Sequence, residues 1–354
     1  MHKKLRRKLL LSIIMLSVTF ITLVSTTFAW FSANRETQFD DFNIKLEGYD
    51  GIQISIDGSN FYSKLTADDI KMAAAAKALE VDLSTNSLSN ERAASVYETI
   101  ALKPVTLASL NWNKIDDANE SFMELDTQSI TDGYFDLKAA SSYSYVAFDV
   151  WFRVANTGEA NRNYELSFTT DKDVAEDANI KASKMSSGKY KTSINTAFDF
   201  KGVEYNTGDE FEISQLASIR FGAIVNDGES HILIEPEIGT SSVAIKDDES
   251  ERFNPVNNLM YQYFNAYAPA DLRPISDDKV IEYNKVDMVH DFERAIGRFK
   301  ANDGKSKYQD IKVSFAIWQE AYDGDYMPGS QTVLEDVVVS LGFKMREVIA
   351  NEES

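Results

Sequence analysis

Cysteine is absent from the 354-residue sequence, which removes disulfides, thiolate metal sites and thiol nucleophiles together. Histidine is nearly absent: only His2, His231 and His290 occur, with no two-histidine spacing of the HExxH kind, so a zinc hydrolase would lack its ligands. The G-x-S-x-G and P-loop patterns are missing as well. Six prolines and no low-complexity tract give little basis for long disorder. Cations are few against acids, 36 Lys and Arg to 56 Asp and Glu, for a net charge of −20. Beyond the N-terminus no Lys/Arg stripe interleaves with aromatics, which argues against nucleic acid as a partner.

What remains is an ordinary globular composition, 44% apolar and 26% charged, in a chain long enough for one large or two ordinary domains. The first eight residues, MHKKLRRK, form a basic n-region, and Leu9–Val24 an apolar h-region. Thr27 and Ala29 then supply the small residues of a secretory cleavage site, which would leave Trp30 as the new N-terminus. The alternative is an uncleaved anchor, because Leu9–Phe31 carries no charge and is long enough as a helix to cross a bilayer. Either way the basic end stays inside and residues 32–354 are exported, extracellular or at the cell surface. Cleavage would also remove the five cations of the first 29 residues and take the net charge from −20 to −25.

Period-2 alternation dominates the exported part and predicts a mainly β fold. Phe42, Ile44 and Leu46 alternate before a Gly48–Gly51 turn, and Ile52, Ile54 and Ile56 after it, which reads as a hairpin with one wet face. Further strands are read at 146–154, 164–168, 218–225, 231–236, 311–318 and 337–343, the 218–236 pair as a hairpin with an Asn226-Asp227-Gly228 turn. Three helices are expected. One begins after Thr66 and shares a face between Met72, Ala76, Leu79 and Leu83; the others span Asn257–Tyr267 and Val286–Lys300. The fold expected is an antiparallel β-sandwich, jelly-roll or Greek-key in type, over residues 30–354, with helical insertions at about 60–140 and 255–300.

The N-terminal stretch KKLRRKLLLSIIMLSVTFITLVSTTFAWFSANRETQFDDFNIKL resembles exported Firmicutes and Mollicutes-type proteins whose signal ends in an Ala-Trp-Phe step. The best-known proteins it resembles in style are the camelysin/TasA-like surface and biofilm-matrix proteins, exported with a SipW-type signal peptidase. At the other end, VSFAIWQEAYDGDYMPGSQTVLEDVVVSLGF is similar to a pattern of the wider group, a strand ending in Trp-x-Glu, an acidic turn and a last alternating strand. The resemblance departs at Tyr326, where the wider group often carries a cysteine. It implies an exported β-sandwich and, for the TasA branch, a subunit that polymerises into fibres; the absent histidine pairs give no support for camelysin's protease activity.

Few residues suggest chemistry. Glu320, Asp323 and Asp325 gather carboxylates between the last two strands, a weak calcium candidate that lacks the full D-x-D-x-D-G register and is more simply a solvated turn. Asp171, Asp173, Glu176 and Asp177, and Asp247, Asp248, Glu249 and Glu251, are weaker clusters. Ser186-x-x-Lys189 has a serine–lysine spacing, but Gly188 in a polar segment reads as a loop. Trp151 and Trp318 lie on the polar-side register of their strands, as a second sheet contact or an exposed patch. No catalytic set or cofactor site emerges. Two functions are carried forward: a non-enzymatic surface or matrix protein that associates with itself or with other surface proteins, and a membrane-anchored module that binds glycans or peptides of the envelope.

Overall fold

The computed structural model describes residues 43–49, 51–110, 112, 121–131, 134–155, 163–193, 198–200, 203–206, 208, 210–226, 230–236, 288–289, 292–299, 306–320 and 337–348. The elements run β1 (Asn43–Gly48), β2 (Gln53–Ser55), β3 (Lys64–Leu65), α1 (Ala67–Ala78), α2 (Asn90–Tyr97), β4 (Pro104–Leu107), β5 (Phe122–Thr131), β6 (Tyr134–Ala139), β7 (Val146–Ala155), β8 (Asn163–Phe168) and α3 (Asp171–Glu176). They continue as β9 (Lys184–Ser186), β10 (Lys189–Ser193), β11 (Phe198–Phe200), β12 (Val203–Tyr205), β13 (Glu210–Ser214), β14 (Ile219–Val225), β15 (Ser230–Ile234), β16 (Met288–Val289), β17 (Ala295–Arg298), β18 (Tyr308–Glu320) and β19 (Val338–Val348). The fold is mainly β, as the alternation predicts.

The strands form two large mixed sheets and two small ribbons, β10–β13 and β11–β12. The smaller large sheet has the order β17-β8-β19-β1-β3, with β9 beside β19. The larger runs β16-β15-β14-β18-β4-β5-β6, and β7 joins β18 to β2. Most pairings are antiparallel, but β1–β19, β15–β16 and β4–β18 are parallel. The first and last strands of the described chain therefore lie side by side.

One apolar core connects the two sheets. Phe343 of β19 meets Phe152 of β7 at 4.6 Å between ring centroids, and Phe168 of β8 lies 6.1 Å from Phe221 of β14. Each fully buried phenylalanine is worth roughly 1.5–3 kcal/mol of transfer free energy, so this aromatic layer is a principal reason the sheets stay together. Alternation along β18 sends Val313, Phe315 and Ile317 into this core and Ala316 and Trp318 to the opposite face. There a second core gathers Trp112, Phe122, Tyr145 and Trp318. Gly222 permits it, since a Cβ there would sit 2.8 Å from the Trp112 ring.

Several local expectations change. The hairpin at 42–56 does not form: β1 pairs with β19 and β3, whereas β2 pairs with β7 in the other sheet. The turn between them, closed by the Ile52 amide donating to the Tyr49 carbonyl at 3.0 Å, is a corner from one sheet to the other. Val286–Lys300 is not a helix among its described residues but carries β16 and β17. A β-bulge between Ala295 and Gly297 breaks the period of two there, so Phe292, Ile296 and Phe299 fall at helix-like intervals while being buried by strand packing. The 60–140 insertion is helical only in its first part; β4, β5 and β6 extend the larger sheet. The helix after Thr66 does form, with Thr66 and Asp69 in a reciprocal capping box. Its buried residues are Ile70, Ala73, Ala74, Ala75, Ala76 and Ala78; of the expected stripe only Ala76 is buried, whereas Met72, Leu79 and Leu83 are half-buried, because small side chains let the helix lie close on β7. Asn257–Tyr267 lies outside the described residues.

Candidate functional site

The side chains proposed for chemistry do not converge. Glu320 is buried and its Oε2 accepts from the Trp318 indole Nε1–H at 3.1 Å, so its carboxylate belongs to the second core rather than to a solvated turn. Asp323 and Asp325, the Asp247–Glu251 cluster, His2 and His290 lie outside the described residues, as do the junction residues Thr27, Ala29 and Trp30. His231 is exposed on β15. Ser186 and Lys189 flank the short connection from β9 to β10, not a helix. Among the described residues no three His, Cys, Asp or Glu side chains are placed to hold a metal ion.

Of the two tryptophans, Trp318 makes the second contact and Trp151 lines a cleft. The cleft lies between α1 with its following turn and the outer face of β7 and β18. The ladder register sets Lys312 opposite Trp151 and Ser314 opposite Asp149, so all four project to this face. Lys77, in the last turn of α1, reaches down so that Nζ donates to both Asp149 oxygens at 3.1 Å. Lys312 Nζ is 3.1 Å from Asp149 Oδ2, and the Ser314 hydroxyl donates to Oδ1 at 2.6 Å. One carboxylate thus holds two lysines in a setting where the Lys77 and Asp149 side chains are only 10% and 21% exposed.

Trp151 closes one wall. Gly58, at φ +70°, approaches the indole so closely that a Cβ would meet its ring at 3.2 Å, and the Lys312 ammonium stands 5.9 Å from the ring centroid. Asp82 stands at the rim; the Ser84 hydroxyl and then the Ser84 amide hold its carboxyl below the usual range, aided by Lys312 and Lys77. The cavity is about 40 Å³. That volume takes a few waters but not a sugar ring, at the ~10–15 Å³ each water needs. In this geometry the cluster acts as a clamp that fastens α1 to the sheet around a small, charged interior.

Farther along the same outer face Arg153 makes a bidentate pair with Asp310, both bonds 2.7 Å, and its guanidinium lies 3.7 Å from the Phe61 ring centroid and 5.1 Å from that of Tyr308. Tyr308 and the neighbouring Tyr62 are exposed. Two buried ion pairs escape sequence reasoning. Arg220 pairs with Glu235 at 2.8 Å, and Asp173, set aside above as part of a weak acidic cluster, pairs with Lys344 and, at 3.6 Å, with Arg346. The hint in the sequence was Thr170-x-x-Asp173, the spacing of a helix-capping box, of which the Asp173 half forms: its carboxylate accepts from the Thr170 amide and hydroxyl. No protein-family model, curated protein or solved structure matches this chain.

Proposed function

We propose that the chain is an exported, non-enzymatic protein of the cell surface or extracellular matrix whose copies assemble by strand addition. The observation that carries this is at β1. Residues 30–42, which head the exported chain if the signal is cut after Ala29, run directly into this strand. Among the described residues β19 pairs with all of β1 on one side, whereas β3 covers only Leu46 and Glu47 on the other. Among the described residues no strand covers Asn43–Lys45 on that side, and this is the stretch at which we place a strand from another copy. The two sheets around one aromatic core suit a sandwich, although the parallel pairs β1–β19, β15–β16 and β4–β18 depart from the antiparallel jelly-roll or Greek-key expected, and the −20 charge suits a soluble exported surface. Deleting residues 30–41 from the mature protein is expected to leave the fold, read by circular dichroism, and to abolish oligomers in light scattering. Unchanged assembly would overturn the proposal.

The second reading, a membrane-anchored glycan- or peptide-binding module, draws on the Phe61–Arg153–Tyr308 row and exposed Tyr62. Aromatic faces held rigid by an arginine suit stacking on a sugar. N-terminal sequencing of protein from cells separates the two, since a chain starting at Trp30 favours release and one starting at Met1 favours the anchor.

A further inference from the structure

We propose that the side chains of Lys344 and Asp173 are joined by an intramolecular amide bond. Lys344 lies on the outer face of β19, opposite Ser167 of β8 in the ladder. The chain leaves β8 through Thr169 and Thr170 and folds into α3, which brings Asp173 over Lys344. The Lys344 Nζ is in direct contact with Asp173 Oδ1. Both side chains are withdrawn from water, at 14% and 5% exposure.

The two carboxylate oxygens have different surroundings, and the difference is the one an acyl transfer needs. Oδ2 accepts from the Thr170 amide at 2.7 Å and from the Thr170 hydroxyl at 3.1 Å, and Arg346 Nη2 stands 3.6 Å from it. Oδ1 faces the amine. Burial disfavours both charges of the pair, so shifting one proton from the ammonium to the carboxylate yields a neutral amine beside a carboxylic acid at reduced cost. The amine nitrogen then attacks Cγ. Negative charge develops on Oδ2, to which the Thr170 amide and hydroxyl already donate, as donors do in an oxyanion hole, with the Arg346 charge 3.6 Å away. The Cγ–Oδ1 bond breaks and Oδ1 departs as water, carrying the two protons that the lysine nitrogen gives up. An ammonium and a carboxylate become one amide and one water, so no oxidant, reductant or co-reactant is required. Fixed proximity replaces the activation that such a condensation needs between free molecules.

The product keeps the cap, because the amide oxygen still accepts from Thr170. It also ties the last strand of the smaller sheet to the segment that follows β8, across 171 residues of a chain with no cysteine. The test is mass spectrometry of the purified full chain, corrected for whatever N-terminus sequencing finds. The expected result is an intact mass one water below the sequence mass, and a tryptic map in which the fragments bearing Asp173 and Lys344 appear only as one branched species. Lys344→Arg, which keeps the charge pair but removes the nucleophilic amine, is expected to restore the full mass and release two separate fragments. An intact mass equal to the sequence mass, with separate Asp173 and Lys344 fragments from the wild-type protein, would overturn the proposal, and that comparison needs no variant to fold.

Discussion

The Asp149 clamp gives the sharpest energetic prediction. Replacing Asp149 by Ala leaves the Lys77 and Lys312 ammonium groups facing each other beneath α1, and leaves the Ser314 hydroxyl without its acceptor at 2.6 Å. Removing one partner of a fully buried pair costs about 3–5 kcal/mol; the partial exposure of Asp149 reduces this to about 2–3 kcal/mol. Replacing Lys312 by Met should cost under about 1 kcal/mol, because one lysine and one carboxylate remain balanced. Lys77→Met combined with Asp149→Ala should recover about 1–2 kcal/mol relative to the sum of the single changes, the coupling of groups in contact. Urea unfolding followed by tryptophan fluorescence measures the wild type, the three single variants and the double variant on one scale, with Trp151 reporting on the clamp itself. An Asp149→Ala protein as stable as the wild type, or a Lys312→Met protein as unstable as Asp149→Ala, would refute the view that this carboxylate is the shared counter-charge.

Gly222→Ala is expected to destabilise the protein by about 1–3 kcal/mol through overpacking, since its Cβ would lie 2.8 Å from Trp112 and 3.1 Å from Leu233 on the second-core face; thermal unfolding reads this. In the loop that backs Trp151, burial raises the Asp57 carboxyl pKa. Hydrogen bonds from the Asn60 and Ser59 amides, the Asn60 side chain and the Ser55 hydroxyl outweigh that and hold it down at about 2. A depressed carboxyl stabilises the folded state above its unfolded pKa of about 4 and loses that contribution as pH falls through about 2. An NMR titration of the Asp57 carboxyl carbon should accordingly show a midpoint near 2, and a midpoint near 4 would mean the loop does not hold it.

Patterns carried by neighbouring residues were legible in the sequence. Strict alternation located β7, β14, β15, β18 and β19, and Thr66 located the start of α1, because side-chain direction in a strand and amide satisfaction at a helix end are settled within a few residues. The strand at Ala295–Arg298 was not legible, since its bulge spaces the apolar residues as a helix would. The Trp151 cleft was half visible: the polar-side tryptophan stood out, but Lys77, 72 residues from Asp149, gave no sign of where it would reach. Asp173 and Lys344 were more remote still.

By itself the sequence determined the β-rich character, the lack of thiol and paired-histidine chemistry, and the inward face of β7, β14, β18 and β19, all of them properties of composition and short-range period. The tertiary structure decided that β1 and β2 part into different sheets, that the first and last strands run parallel as neighbours, and which scattered charges become partners. A strand's pattern states which face is apolar but not which other strand covers it. That choice belongs to the packing of Phe152, Phe168, Phe315 and Phe343, whose contacts span most of the chain and exist only once both sheets are in place.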